Sequence, residues 1–249
     1  MLSKKIVKYI QSLSHKKFRD EEGVFIAEGP KIASEFLLSE NIRCKLICAE
    51  KDWLLENDSL LKDIEPKNIF ETDEQILSSI SSQKAPNKVL GVFYKKDIVV
   101  NPNLSGKISI MLDYLQDPGN MGTIIRIADW FAIENIICST NTVDCYNPKV
   151  VQSTVGSLAR VNVLYTDLLS FIQENKNINV YATTLHGTSI FEMPKIKEGI
   201  VLIGNEAKGV LDELLKLSSH QITIPRFGHA ESLNAAIATG IIISTIVDH

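Results

Sequence analysis

The sequence predicts an α/β protein in two parts: a small α/β domain, then a larger, mainly parallel sheet with helices on both faces. Three observations carry that expectation. Short apolar runs of strand character alternate with stretches of helical spacing along the whole chain. The segment 99–106, with Asn101-Pro102-Asn103 and Ser105-Gly106, interrupts that alternation with turn chemistry and reads as a linker. The second half repeats strand-then-helix units whose strands are continuous apolar runs, the pattern of strands covered on both faces. The expected domains are therefore 1–98 and 107–249.

In the first part, Ile6, Ile10 and Leu13 recur at helical spacing over 4–13. Residues 25–28 read as a strand, and Gly29-Pro30 turns the chain into a helix over 31–38. Strands are expected at 43–48, 68–70 and 89–94, with helices near 53–61 and 74–80. In the second part, strands are expected at 108–112, 135–138, 161–165, 179–183, 200–203 and 221–224. Helices fall between them at about 123–132, 149–158, 167–174 and 209–216, and a last one covers 233–247. In open sheets of this kind ligands sit beyond the carboxyl ends of the strands.

A hydrophobic share of 45% and a charged share of 22% are those of an ordinary globular chain. No apolar run suffices to span a membrane: 235–247 is interrupted by Thr239, Gly240, Ser244 and Thr245. The start carries no apolar leader, so a cytoplasmic location is expected. Cys44, Cys48, Cys138 and Cys145 form no Cys-x-x-Cys pair and read as small buried hydrophobes; neither a disulfide framework nor a metal site is expected. A net charge of −4 argues against unspecific coating of nucleic acid. Yet Lys4, Lys5, Lys8, Lys16, Lys17 and Arg19 all precede the first acid, Asp20. Charge alone fits a phosphate-binding face and a merely solvated helix equally well. There is no G-x-G-x-x-G after a strand, no phosphate-binding loop and no G-x-S-x-G elbow.

Three strand-exit loops stand out. The first runs Asp113 to Asp129, with Pro118-Gly119-Asn120 as a turn and Gly122 at the start of the expected helix. There Ile124, Ile127, Ala128 and Phe131 form an apolar arc, and Arg126 falls nearly opposite, where an isolated arginine is more simply a solvated one. The second is Gly204-Asn205-Glu206-Ala207-Lys208-Gly209, whose glycines allow close backbone approach and free N–H groups at a helix start. The third, 224–234, contains Pro225, Arg226 and His229 and runs into the last helix, with Ser232 as its expected cap and Asn234 in its first turn. Ordinary strand-to-helix connections would explain each loop alone, but not the combination.

Together these residues resemble the SpoU/TrmH family of RNA 2′-O-ribose methyltransferases. Asp117 to Gly122 with Arg126 and Asp129 resembles its motif 1, Gly204 to Gly209 its motif 2, and Ile224-Pro225 with Ser232-Leu233-Asn234 its motif 3. Asn147-Pro148-Lys149-Val150-Val151 with Ser153 and Gly156 also matches, with Gln152 and Ser157 departing where many relatives have Arg and Ala. The start, Ser12-Leu13, Lys16-Lys17-Phe18-Arg19 and Phe25 to Gly29, is similar to the family's L30e-like substrate-binding domain. The resemblance implies a trefoil knot, a homodimer, and S-adenosylmethionine as cofactor on Thr183, Gly204, Ile224 and Leu233. It implies catalytic positions Asn120, Arg126, Glu206, Ser232 and Asn234, and RNA contacts at Lys16, Lys17 and Arg19. Arg126 would act as base or as phosphate clamp. The two-domain layout favours ribosomal RNA over tRNA. The alternatives are a tRNA 2′-O-methyltransferase, or a catalytically silent RNA-binding or ribosome-assembly factor of the same fold.

Overall fold

In a computed structural model, which describes residues 2–83 and 85–248, the chain forms two compact units. One comprises the chain up to Asp97 together with Asp144–Ala159; the other comprises Ile98–Val143 and the chain from Arg160 onward. The backbone thus passes between units three times, and only the first passage lies beside the expected linker.

The first unit begins with α1 (Lys4–Ser12), α2 (Lys16–Glu22), β1 (Val24–Glu28), α3 (Pro30–Leu37) and β2 (Cys44–Ala49). It continues with α4 (Lys51–Glu56), β3 (Ile69–Glu71), α5 (Glu74–Ile80) and β4 (Val89–Tyr94). Its sheet runs β1-β4-β2-β3 and is mixed: β4 is antiparallel to both neighbours, while β2 and β3 are parallel. Ile10 and Leu13 from the first helix and its end, with Leu77 and Ile80 of α5, pack on Val24, Ile26, Leu90 and Val92. Trp53, Leu61 and Ile64 form a separate cluster with Ile47, Ala49 and Val89. Helix α2 has no apolar stripe to reveal it in the sequence. It is laced instead by Lys16–Asp20 and Lys17–Glu21 pairs one turn apart.

The second unit contains β5 (Ile108–Leu112), α6 (Pro118–Trp130) and β6 (Asn135–Ser139). The next helix, α7 (Pro148–Thr154), belongs to the first unit, where it packs on β1. It stops at Val155 and Gly156, both with positive φ, and only a short 3-10 turn follows, instead of one helix over 149–158. A Cβ on Gly156 would lie 2.5 Å from that of Glu35, so the position excludes a side chain by space as well as by φ. The second unit resumes with β7 (Asn162–Thr166), α8 (Leu168–Glu174), β8 (Val180–Ser189), β9 (Gly199–Ile203), α9 (Asp212–Leu217), β10 (His220–Thr223) and α10 (Ala235–Ile246). Its six strands run β10-β8-β9-β5-β6-β7, all parallel. Every residue of β5 and β9 is buried, as continuous apolar runs require. Phe171, Ile172 and Leu214 of α8 and α9 cluster with Met111, Ile137 and Leu202, and α6 packs on α10. Chain order reverses between β5 and β9, so the loops after these two strands flank the switch point where such sheets bind ligands.

Among the described residues no helix is long and apolar enough to cross a membrane, and no His/Cys/Asp/Glu group could hold a metal. The four cysteines are free; three are buried and Cys44 is half-buried, and burial pushes the Cys44 and Cys48 thiols up to about 12.

Candidate active site

The first loop is built by caps. Asp117 accepts a hydrogen bond from the Asn120 backbone N–H at 2.7 Å, and Pro118 occupies the first position of α6. The helix therefore starts at 118, five residues before its expected start at 123: the proline read as a turn is a helix initiator behind its cap. That start places Asn120 in the first turn, nearly buried, with its amide aimed at the other two loops.

Asn120 Nδ2 donates to Glu206 Oε1 at 3.0 Å, and Asn120 Oδ1 accepts from Asn234 Nδ2 at 2.7 Å. One asparagine thus joins all three loops. The far end is fixed because Asn234 Oδ1 accepts from the backbone of Ala236 and Ile237 as the cap of α10. Asn234, not Ser232, is that cap; Ser232 is exposed, with its hydroxyl unpartnered among the described residues.

The second loop closes on itself, Asn205 and Gly209 exchanging backbone hydrogen bonds at 3.0 and 2.9 Å. A Cβ on Gly204 would lie 2.2 Å from the Gly209 carbonyl carbon, so only glycine fits. The Ala207 and Lys208 N–H groups donate to Asn205 Oδ1 rather than standing free, which corrects the expectation of unpaired donors at a helix start. Helix α9 begins only at Asp212, three residues later than expected. Two contacts lock this loop to the first: Asn205 Nδ2 donates to Tyr114 O, and Leu211 N–H donates to Asp113 Oδ2. Burial pushes the Asp113 carboxyl above its ordinary range, partly offset by that Leu211 hydrogen bond. Asn205 and Asp113 are supports that motif reading did not single out; an acid at a strand end before a glycine-bounded loop was the available signal.

Arg126 lies further along α6, exposed, and has no hydrogen-bond or ion-pair partner among the described residues. Its helix is held from below by buried Ile124, Ile125 and Ala128, while Ile127 is only half-buried. Asp129, one turn on, does not neutralise Arg126. It receives three hydrogen bonds from Arg160, at 2.9, 3.1 and 2.8 Å.

Thr183, Gly204, Ile224 and Leu233 come from β8 and from the segments after β9 and β10, three adjacent strands. Strand β8 is longer than its expected 179–183. Its pairing with β10 jumps from Ala182 to Thr188 between consecutive Gln221 and Ile222, so 183–187 bulges out of the ladder. Gly187 lies so close to β10 that a Cβ would sit 2.5 Å from the Gln221 carbonyl carbon. Within the bulge, Thr184 Oγ1 is buried without a hydrogen-bond partner, an orphan that a bound polar ligand can satisfy.

Of the residues expected to meet RNA, Lys16 and Lys17 are exposed on α2. Arg19 is a correction. It is 1% exposed, donates to the Leu13 and Ser14 carbonyls, and pairs with Asp144 at 2.6 Å. A guanidinium enclosed in this way has no face for a phosphate; the first unit uses it to hold the segment that begins at Asp144.

Residues 107–244 match the family described as SpoU rRNA Methylase, and residues 4–91 match a family described as the MRM3-like substrate binding domain. The 23S rRNA (guanosine(2553)-2′-O)-methyltransferase of Bacillus subtilis is 28% identical, over 95% of this chain and 94% of its own. The 23S rRNA (uridine(2479)-2′-O)-methyltransferase of Streptomyces viridochromogenes is 25% identical, over 93% and 85%. Among solved structures, the AdoMet-bound rRNA methyltransferase of Sinorhizobium meliloti is 31% identical and superposes with a TM-score of 0.86, covering 99% of this chain and 95% of that one.

Proposed function

The chain belongs to the SpoU rRNA methylase family, and from that premise we propose that it methylates a ribose 2′-hydroxyl of ribosomal RNA, using S-adenosylmethionine. The observation that carries this reading is the Glu206–Asn120–Asn234 chain, which ties three strand-exit loops together on the helix that presents an unpartnered Arg126. The names of the two 23S rRNA methyltransferases that match over 95% and 93% of this chain favour ribosomal RNA over tRNA.

S-adenosylmethionine supplies a methyl group already activated on sulfur together with its leaving group. Thr183, Gly204, Ile224 and Leu233 would hold it, and the orphaned Thr184 hydroxyl and the bulge at 183–187 fit such a polar ligand. Arg126 acts as the phosphate clamp. Its planar guanidinium fork suits a phosphate beside the target ribose and the charge that grows on the 2′-oxygen. Ser232, whose hydroxyl is unengaged, positions the ribose. Asn120 and Asn234 fix the loops, and Glu206 braces the second loop through its bond to Asn120.

Several finer readings belong to the same proposal. Residues 1–98 bind the RNA substrate with Lys16 and Lys17 in contact with it, 107–249 form the methyltransferase domain, and the segment after β9 is threaded as a trefoil knot. The protein works as a homodimer: α6 and α10, packed on one another, leave Trp130 85% and Ile237 57% exposed, apolar surface that a second copy would cover. Four free thiols fit a reducing cytoplasm. Mapping ribose methylation in RNA from cells lacking the protein tests the substrate. Loss of one ribosomal-RNA mark is expected, and a lost tRNA mark with ribosomal RNA intact would redirect the assignment.

A further inference from the structure

The first unit contains a groove of about 250 Å³ that none of the proposed catalytic or cofactor positions touches. Its floor is apolar: Ile10, Ile26 and Ile80 line it yet are almost wholly buried. Its rim is polar, formed by Gln11 and Ser14 on one side and by Ser79, Ser81 and Ser82 on the other, and Pro148 of the α7 segment contributes to the wall.

The rim is held in place. The Glu28 carboxylate, 5% exposed, accepts from the hydroxyls of Ser81 and Ser82 and from the Ser82 backbone N–H. Burying a carboxylate is costly, and here it fixes two serines at the end of α5. Gln11 spans the groove's edges, its Nε2 donating to Ser79 O at 2.8 Å. With one hydrogen of that amide and the hydroxyl hydrogens of Ser14, Ser79, Ser81 and Ser82 engaged, the rim offers mainly acceptor oxygens, Gln11 Oε1 among them, beside the second Gln11 Nε2 hydrogen. Directly after Ser14 the chain presents His15, Lys16, Lys17 and Phe18, all exposed, with the His15 and Phe18 rings edge to face at 6.3 Å. The lysines' partners Asp20 and Glu21 are exposed too, so these pairs are weak and a phosphate can replace them.

We infer that this groove takes one unpaired nucleotide of the RNA substrate, a reading that rests on the proposed function. The base lies on the isoleucine floor, its exocyclic amino group meets the acceptor rim, and the adjoining phosphates run to Lys16 and Lys17. An apolar floor, a hydrogen-bonding rim and flanking cations offer a matching surface to the face, the edge and the phosphates of one unpaired nucleotide.

The test combines a groove-filling variant with a crosslink on the unmodified protein. Ser14→Phe puts a ring at the rim without altering charge. It is expected to raise the KM for hypomethylated ribosomal RNA about tenfold, with kcat at saturating RNA, S-adenosylmethionine affinity and melting temperature unchanged. Wild-type protein irradiated with ribosomal RNA carrying 6-thioguanosine, which keeps an exocyclic amino group, is expected to crosslink within 10–14 or 79–82. An unchanged KM for Ser14→Phe together with crosslinks confined to other segments overturns the groove, even while methylation continues. Failure of the wild-type protein to methylate or bind ribosomal RNA would instead strike the functional reading itself.

Discussion

Arg126 stands on α6 without a partner among the described residues, and Asp129, three residues on, is held by Arg160. The clamp role proposed for Arg126 rests on this isolation, and it depends on the fork of the guanidinium rather than on charge alone. Arg126→Lys is therefore expected to lower kcat by about a hundredfold or more, the scale of losing a transition-state donor, while calorimetry shows unaltered S-adenosylmethionine binding. Recovery of near-wild-type turnover by lysine would refute the clamp. Asn234 carries two duties at once, capping α10 and holding Asn120. Asn234→Ala should cost about 1 kcal/mol from the cap alone and also lower activity; Asn234→Asp, which can still cap, should restore the melting temperature but not the activity, since a carboxylate cannot donate to Asn120. Sequence motifs single out Asn120, Glu206 and Asn234 but not the hydrogen bonds that join them. Ser232 and Asn234 are both good capping residues two positions apart, and only the backbone at Asn234 decides between them.

At the scale of elements, β5, β6 and β9 are legible because they are apolar runs buried almost throughout, and most strands lie within a residue or two of where the pattern puts them, although β3, β10 and the far half of β8 are largely half-buried or exposed. Helix α2 is not legible, since nothing but charge lines it apart from Phe18 and a buried arginine. The start of α6 was misplaced because Pro118 followed by Gly119 reads as a turn unless the Asp117 cap is recognised. Asp113 binds two elements together, ending β5 and receiving the Leu211 N–H before α9. Its folded carboxyl titrates above the ordinary value because burial disfavours the charge. The folded state thus holds that proton more tightly than the unfolded chain, so Asp113 contributes stability below its unfolded pKa and loses it as pH rises through the folded one. Asp113→Asn keeps an acceptor for Leu211. It is expected to be relatively less stabilising below the ordinary carboxylate pKa, and to gain on the wild type as pH rises through the folded value. A stability difference independent of pH across that window would contradict this.

For the molecule as a whole, the least predictable feature is that Asp144–Ala159 folds with the first unit. Its anchor joins residues 125 apart in the chain, Arg19 and Asp144, and no local pattern announces such a pair. The basic cluster before the first acid is not a single face, because Arg19 is taken inward. Arg19→Ala leaves Asp144 without its buried partner and should destabilise the protein by roughly 3–5 kcal/mol, whereas a well-packed apolar replacement of both partners should recover most of it. Denaturant melts of the single and double variants check this; equal losses in both would mean the charges are not the anchor. The homodimer predicts a light-scattering mass twice the 27.7 kDa of one chain, falling towards a single chain when Trp130 and Ile237 are both replaced by charged residues. A monomeric wild type at micromolar concentration would remove the dimer from the account. Whether the three joined loops and Arg126 methylate ribose is decided by incubating the protein with methyl-labelled S-adenosylmethionine and hypomethylated ribosomal RNA. Label should appear on a ribose 2′-oxygen with the wild type and vanish with Arg126→Ala; label on a base, or equal labelling by both proteins, would contradict it.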